Sequence, residues 1–361
     1  MSLLQPTGLA TLPTRKRMLR AFLAGDPAAE GLFYAAVTTT GIFCRPTCTA
    51  RKPDPRNVEF FATASAALHS GYRPCKRCRP MDVTRRPPVL VERLRDAVER
   101  NPTGRLTDKD LMAMGIEPST ARRQFKQYTG ATFHAYHRAR RMGLALHDVR
   151  KGRDLLDIQL DRGFESASAF RDAFAKTFGV PPSKAKDRDC LLARRFETPL
   201  GTMLALANDQ GLHLLDFVDR RGLERKLLTL RERLHAAVVP GNHEHLDAMA
   251  IQLRRYFAGE SLAFDVPLVL TGSPWEQRVW RRLLTIPPGR TKSYSQMASE
   301  LGRPEARRAV GRANGMNYLA LVIPCHRVIR ADGSLCGYGG GLWRKQWLLE
   351  HERRSLALSS R

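Results

Sequence analysis

The sequence predicts a multidomain α+β protein in three parts: a small zinc-bound N-terminal module, an all-α middle domain of two helix-turn-helix units, and a C-terminal domain whose small sheet-bearing subdomain precedes a helical reactive one. Three observations carry this. Two close-spaced cysteine pairs, Cys44-x3-Cys48 and Cys75-x2-Cys78, stand near the N-terminus, a motif recurs 49 residues apart in the middle, and strand-like text from Leu200 to Val218 gives way to helical text. The 361 residues, 43 % apolar and 26 % charged, suffice for two or three buried cores and exclude wholesale disorder. The longest apolar runs, such as Leu319 to Ile323, fall far short of the roughly 18 residues of a spanning helix, and no signal-peptide core opens the chain. A soluble cytoplasmic protein without a membrane partner is expected.

Sixty Lys and Arg against 35 Asp and Glu give a net charge of +25. The excess is spread: residues 1–84 carry +7, residues 85–190 carry +8 and residues 191–361 carry +10. Three separately basic segments favour a polyanion that touches all of them, and nucleic acid is the commonest such partner, against the plainer reading of a basic bias in composition. Arg85-Arg86-Pro87-Pro88 and the polar stretch Pro181 to Asp189 look like linkers. They set expected domains of 1–86, 89–188 and 191–361, the last divided at 270/271.

In the first segment the four cysteines match the spacing of a tetrahedral four-thiolate zinc site. Seven cysteines in all, an odd number with no export signal, argue against a disulfide framework. Structural zinc is the default reading, yet Arg45, Arg51, Arg73, Lys76, Arg77 and Arg79 crowd the pairs and would draw DNA phosphates toward the sulfurs. Four thiolates on zinc keep a net charge of −2, which preserves nucleophilicity and favours a neutral, alkylated phosphotriester over an anionic phosphodiester. Thr39 to Cys48 with Gly71 to Cys78 resembles the N-terminal domain of the bacterial Ada methylation-response family. The resemblance implies one zinc on Cys44, Cys48, Cys75 and Cys78, with Cys44 accepting a methyl group from a DNA methylphosphotriester.

In the middle segment Ser119-x2-Arg122-x2-Phe125-x4-Gly130 recurs as Ser168-x2-Arg171-x2-Phe174-x4-Gly179, and Leu106 and Leu111 are matched by Leu155 and Leu160. Each unit reads as a short helix (Thr107 to Met114; Asp154 to Asp161), a glycine turn (Gly115; Gly163) and a second helix, which is helix-turn-helix grammar. Phe125, or Phe170 and Phe174, would pack. Arg122, Arg123 and Lys126, or Ser166 and Arg171, would face outward toward DNA. A helix from Thr132 to Arg150 can set two recognition helices in successive major grooves roughly 34 Å apart, the alternative being a plain bundle with solvated arginines. With Phe174 to Pro182 closing the second unit, the pattern resembles the AraC-type DNA-binding domain.

The last segment holds Ile323-Pro324-Cys325-His326-Arg327-Val328, a thiol beside a base. Neighbours on an extended chain point apart, so a bridging water is the expected route from Cys325 to His326. With Ser293 to Ala298, Arg307 to Gly311, Asn317, Gly337 to Gly341 and Trp347 to Glu352, the segment closely resembles the O6-alkylguanine-DNA alkyltransferases. The resemblance implies that Cys325 accepts the alkyl group, His326 is its base through a water, and Glu352 orients His326. It implies further that Asn317 braces the reactive turn, Tyr294 and Arg308 help displace the target base, and Tyr338 lines the base pocket. An alkylated guanine in a duplex must be flipped to reach a thiol. The small residues Ala306, Ala309, Gly311 and Ala313 beside Arg308 suit close approach to a minor groove, or else tight helix packing. Cys336 and Gly339 to Gly341 leave the preferred alkyl size open, and Cys190 reads as a passive linker thiol.

The order of the three parts is that of full-length Ada-family proteins. It implies stoichiometric methyl transfer from O6-methylguanine and O4-methylthymine to Cys325 and from phosphotriesters to Cys44, the second switching on transcription of alkylation-response genes. Expected partners are alkylated and promoter double-stranded DNA and RNA polymerase, with the chain a monomer. Two rivals are a zinc-dependent transcription factor whose C-terminal fold has lost its chemistry, and a DNA-targeted cysteine hydrolase.

Overall fold

The computed structural model describes residues 13–359 except 27–28, 30–31, 63–65, 68–69, 79, 81–88, 105, 130 and 221. Arg79, Gly130 and the Arg85 to Pro88 linker lie outside the described residues. Among those described, no helix is long and apolar enough to cross a membrane.

The N-terminal module sets helix α1 (Arg15–Ala24) against a four-stranded sheet, β1 (Tyr34–Val37), β2 (Ile42–Cys44), β3 (Val58–Phe61) and β4 (Arg73–Pro74), in the order β3-β1-β2-β4. Gly41, at φ +64°, closes the β1–β2 hairpin, a conformation glycine adopts without a Cβ penalty. The hairpin register sets Cys44 opposite Ala35, and β4 lies parallel to β2 so that Cys75 N donates to Phe43 O at 3.0 Å. That parallel pairing brings two cysteine pairs distant in sequence to one end of the sheet.

The middle domain contains α2 (Val89–Arg100), α3 (Asp108–Ala113), α4 (Pro118–Thr129), α5 (Phe133–Arg150), α6 (Leu155–Asp161) and α7 (Ala167–Phe178). Helices α4 and α7 begin and end 49 residues apart, as the repeat requires. Side-chain caps start four of the helices: Thr107 for α3, Thr132 for α5, Asp154 for α6 and Ser166 for α7. The sequence match of Leu111 with Leu160 does not carry over to burial. Leu111 is buried, but Leu160 is 61 % exposed and Ile158 takes the core position, because α6 starts from Asp154 and runs slightly out of step with the 49-residue offset.

The C-terminal domain has β5 (Cys190–Phe196), β6 (Met203–Asn208), β7 (Gly211–Phe217), α8 (Leu223–Leu234), β8 (Ala237–Pro240), α9 (Glu244–Ala258), α10 (Pro274–Leu284), β9 (Lys292–Ser293), α11 (Tyr294–Glu300), α12 (Arg307–Gly315), β10 (Val328–Ile329) and α13 (Leu342–Ser359). The predicted hairpin is β6–β7, starting at Met203 instead of Leu200, since Leu200 belongs to a turn closed by Gly201 at φ +109°. Strands β5 and β8 were not anticipated; they complete the order β7-β6-β5-β8. Every residue of β7 is buried. Its free edge pairs with the reactive segment, Leu215 N donating to Tyr318 O at 2.9 Å and Ala320 N to Leu215 O at 2.7 Å.

Residues 181–189 are not a loose spacer. Pro182–Lys184 form a 3-10 turn, and Ala185 and Cys190 share one core with Met142, Leu146, Phe174 and Val239, so the middle and C-terminal domains are joined through packed interior. Cys190 opens strand β5, and burial pushes its thiol up to about 12, which makes it inert at neutral pH. Helix α5 approaches β8 closely at Gly143, where a Cβ would stand 2.7 Å from Val239 Cγ2. Arg195 donates to Tyr128 O at 2.8 Å and Thr129 O at 3.1 Å, fixing the end of α4 on β5.

Candidate active site and metal centre

At the end of the N-terminal sheet the four sulfurs of Cys44, Cys48, Cys75 and Cys78 all lie within 4.8 Å of one another. Cys44, Cys48 and Cys75 are also core residues, packed with Met18, Phe22, Phe33 and Val58. Arg45 N donates to Cys78 Sγ at 3.3 Å. The hydrogen bond to Cys78, burial and the neighbouring thiols together push the Cys44 thiol up, while the hydrogen bonds it accepts bring Cys78 down to about 6. Four thiols this close cannot all ionise beside one another without a cation, and a soft divalent ion with tetrahedral preference fits the donor set. Around the cluster Arg51, Arg73, Lys76 and Arg77 are exposed and Arg45 is half-buried. Lys52, which the sequence reading passed over, donates to Cys48 O at 2.9 Å and covers the Phe22 ring at 4.2 Å.

In the C-terminal domain Cys325–Arg327 form a 3-10 turn, not extended chain. Asn317, fully buried, braces it: its Nδ2 donates to Ile323 O at 2.9 Å and to Cys325 Sγ at 3.2 Å, while its Oδ1 accepts from Leu319 N at 2.9 Å. Lys226 Nζ reaches Asn317 O and pairs with Asp216 at 2.8 Å, a buried cation absent from the sequence reading. Helix α13 carries Glu352, whose Oε1 meets His326 Nε2 at 2.8 Å. A carboxylate only accepts, so Nε2 carries the proton. Nδ1 is left buried, with no hydrogen-bond partner among the described residues, as the atom able to take one.

Glu352 is held from every side. Its oxygens also accept from Tyr256 OH at 3.0 Å, Gly289 N at 3.0 Å and Arg327 Nη2 at 2.9 Å. Burial alone would raise its carboxyl, but the hydrogen bonds from His326 and Arg327 and the charge of Arg327 outweigh burial and hold it well below the carboxylate range. Burial pushes His326 down against the pull of Glu352, so the imidazole is kept neutral. Sequence reading found Glu352 but not Arg327, Tyr256 or Gly289. Arg327 was legible as part of the Cys-His-Arg run; nothing marked the other two. Glu352→Gln is expected to cost about 3–5 kcal/mol, since Arg327 is left buried without a carboxylate. In the unmodified chain this contribution is complete above the unfolded carboxyl value of about 4.3 and is lost as pH falls below it. Thermal unfolding of the two proteins at neutral and acid pH checks both points: their melting temperatures should converge at low pH.

Tyr294 opens α11 half-buried beside Gly311 and Cys336; burial pushes its hydroxyl up. Arg308, in the first turn of α12, is exposed, as is Ala309, whereas Ala313 is packed inside with Trp280 Nε1 donating to its carbonyl at 2.9 Å. The small residues thus divide between open surface and tight packing. The Tyr338 hydroxyl is buried without a partner among the described residues, and burial pushes it up. On the middle domain Arg123, Lys126 and Arg171 are exposed as expected. Arg122 is exposed too, but it is engaged within the domain by Asp108 at 2.9 Å.

Four family models tile the chain: the metal binding domain of Ada on residues 17–81, a helix-turn-helix domain on 112–188, and the ribonuclease-like and DNA binding domains of 6-O-methylguanine DNA methyltransferase on 191–270 and 274–354. The chain is 35 % identical to the bifunctional transcriptional activator/DNA repair enzyme Ada of Escherichia coli (strain K12) over 353 residues, covering 95 % of this chain and 98 % of the relative. The chain belongs to the Ada family. A second relative, the regulatory protein ada of Salmonella typhimurium, is 33 % identical over 344 residues, 91 % of this chain and 94 % of its own. A methylated-DNA--protein-cysteine methyltransferase of Mycolicibacterium paratuberculosis is 46 % identical over 162 residues, 45 % of this chain and 92 % of its own. The Ada metal binding domain spans all four clustered cysteines, which are the site of a single zinc ion.

Proposed function

We propose that this Ada-family protein, a transcriptional activator and DNA-repair methyltransferase, transfers methyl groups irreversibly to two of its own thiols. Cys325 takes them from O6-methylguanine and O4-methylthymine, and Cys44 from DNA methylphosphotriesters. The observation that carries the base-repair reading is the buried relay Glu352–His326 beside a Cys325 sulfur already oriented by Asn317. Arg308 and Tyr294 displace the lesion base, and Tyr338 offers its unpartnered hydroxyl to it. His326 Nδ1 receives the thiol proton through one water as the sulfur bonds to the methyl carbon. The carbon–oxygen bond breaks and its electrons stay on the base. A thioether has no cheap route back to thiolate, so each acceptor works once.

Zinc bound by Cys44, Cys48, Cys75 and Cys78 supplies thiolate character at neutral pH without a separate base. Arg45, Arg51, Arg73, Lys76 and Arg77 hold the backbone of double-stranded DNA near Cys44. Arg122, Arg123, Lys126 and Arg171 address promoter DNA, with RNA polymerase recruited by a monomeric chain. The domain limits 1–86, 89–188 and 191–361 divide these tasks. Incubation with duplexes carrying a labelled methyl group on the base or on the phosphate, followed by peptide mass mapping, tests the assignment. One label at Cys325 from the base and one at Cys44 from the phosphate is expected. Label elsewhere, or many products per chain, overturns it.

Methylating Cys44 turns a thiolate into a neutral thioether, taking the cluster from −2 to −1. For a phosphate about 6 Å away at an effective dielectric near 20, one charge corresponds to roughly 3 kcal/mol before screening, up to two decades in affinity. Salt reduces it. Protein methylated at Cys44 should therefore bind its promoter more tightly than unmodified protein at one fixed salt concentration. Equal affinities would refute the electrostatic switch while leaving both repair activities standing.

A further inference from the structure

Residues 334–338, which carry Tyr338, form no regular element, yet the Tyr338 hydroxyl must meet a base held against Cys325. Lys345 holds the near side of this loop, donating from Nζ to Cys336 O at 2.8 Å and to Val328 O at 2.5 Å, and two guanidinium groups frame its glycine run. Arg344, in the first turn of α13, donates from Nη1 to Gly340 O at 2.8 Å, from Nε to Leu200 O at 2.8 Å and from Nη2 to Asp219 Oδ2 at 2.9 Å, and lies over the Phe217 ring at 4.0 Å. Arg220, in the turn after β7, pairs with Asp216 at 2.7 Å and donates to Gly315 O at 2.5 Å, just ahead of the Asn317 brace.

The glycine run is shaped to these groups. A side chain on Gly339 would collide with the Arg220 guanidinium, and one on Gly340 would stand 2.9 Å from Tyr338 and 3.0 Å from Phe217. Gly341 has φ +93°, where other residues are strained. At Gly339 the loop packs against the Arg220 guanidinium, which itself bonds the turn leading to Asn317. Its far end is tied through Arg344 to the sheet. Resting on the reading of Cys325 as acceptor, we propose that Arg344 and Arg220 are positioning residues that clamp the Gly337 to Gly341 loop. They set the gap between Tyr338 and Cys325 and thereby favour a small alkyl group over a large one.

A displacement of about 1 Å in a reacting pair can cost on the order of 10²-fold in rate. Single-turnover transfer to Cys325 is measured with duplexes containing O6-methylguanine or O6-benzylguanine, with phosphotriester transfer to Cys44 as the control in the same molecule. Arg344→Ala should slow methyl transfer about 10- to 100-fold and benzyl transfer less, raising the benzyl-to-methyl ratio, with transfer to Cys44 unchanged. Arg344→Lys keeps the charge but not the planar fork, so it should behave like the alanine variant. General structural damage lowers both rates alike. An unchanged ratio in Arg344→Ala, or full recovery in Arg344→Lys, overturns the clamp. If Arg344→Ala does not fold, Asp219→Asn removes only the exposed arm of the fork, and an unchanged ratio there overturns it instead. No label on Cys325 of the unmodified chain would overturn the acceptor assignment, and the clamp with it.

Discussion

Cys325→Ala protein should remove no methyl from O6-methylguanine, while transfer from methylphosphotriesters to Cys44 proceeds at the unmodified rate. The loss is complete because the acceptor atom itself is gone, and His326 and Glu352 are left only to hold a proton. The fold should survive. Asn317 loses one of its partners, yet keeps its bonds to Ile323 O at 2.9 Å and from Leu319 N at 2.9 Å, so the turn stays braced. The two reactions are separable because the four-cysteine cluster lies at the end of the N-terminal sheet and Cys325 against the edge of the C-terminal one, with no residue in common. Transfer rates for both labelled substrates, measured on one preparation, check the pair of outcomes. Residual base repair by the variant would show that another residue is the acceptor.

Removing zinc should unfold the N-terminal module, abolish transfer to Cys44 and leave base repair intact. Structural zinc in small Cys sites contributes roughly 10–16 kcal/mol at neutral pH, as much as the whole stability of an ordinary domain, about 5–15 kcal/mol. Here the dependence is direct, since three of the four cysteines are among the buried residues of the module's own core. Without the ion, four thiols confined within 4.8 Å must remain protonated or move apart, and the packing of Phe22, Phe33 and Val58 goes with them. Metal analysis of freshly purified reduced protein should give one zinc per chain. Chelator titration, followed by hydrogen exchange and by both transfer reactions, should show protection lost over residues 1–84 alone. Zinc-free protein that still methylates Cys44 would defeat the prediction.

What the sequence determined by itself was chemistry written in short spacings. The two close-spaced cysteine pairs, the Cys325-His326 dipeptide and the two helix-turn-helix units each show over short stretches of chain, because ligand bite and helical period are local constraints, whereas the 3-10 turn at Cys325 in place of extended chain came only from the structure. The offset of 49 between α4 and α7 was legible for the same reason, and it failed at Leu160 only where a local cap, Asp154, moved the start of a helix. Resemblance extended the reading to Glu352, a residue that spacing alone does not single out. Only the tertiary structure decided what surrounds it. Tyr256, Gly289 and Arg327 converge on its oxygens from different elements, and nothing in the text around the first two marks them. Likewise the stretch Pro181 to Asp189 reads as a polar linker, yet Cys190 and Val239 complete the core begun by Met142 and Phe174 and join two domains into one packed body. Strands β5 and β8 pair in parallel across more than forty residues, and Arg344 reaches Leu200 across 144. Contacts of that range depend on how whole elements stack once formed, so their partners are fixed by burial and packing in three dimensions and leave no periodic trace along the chain.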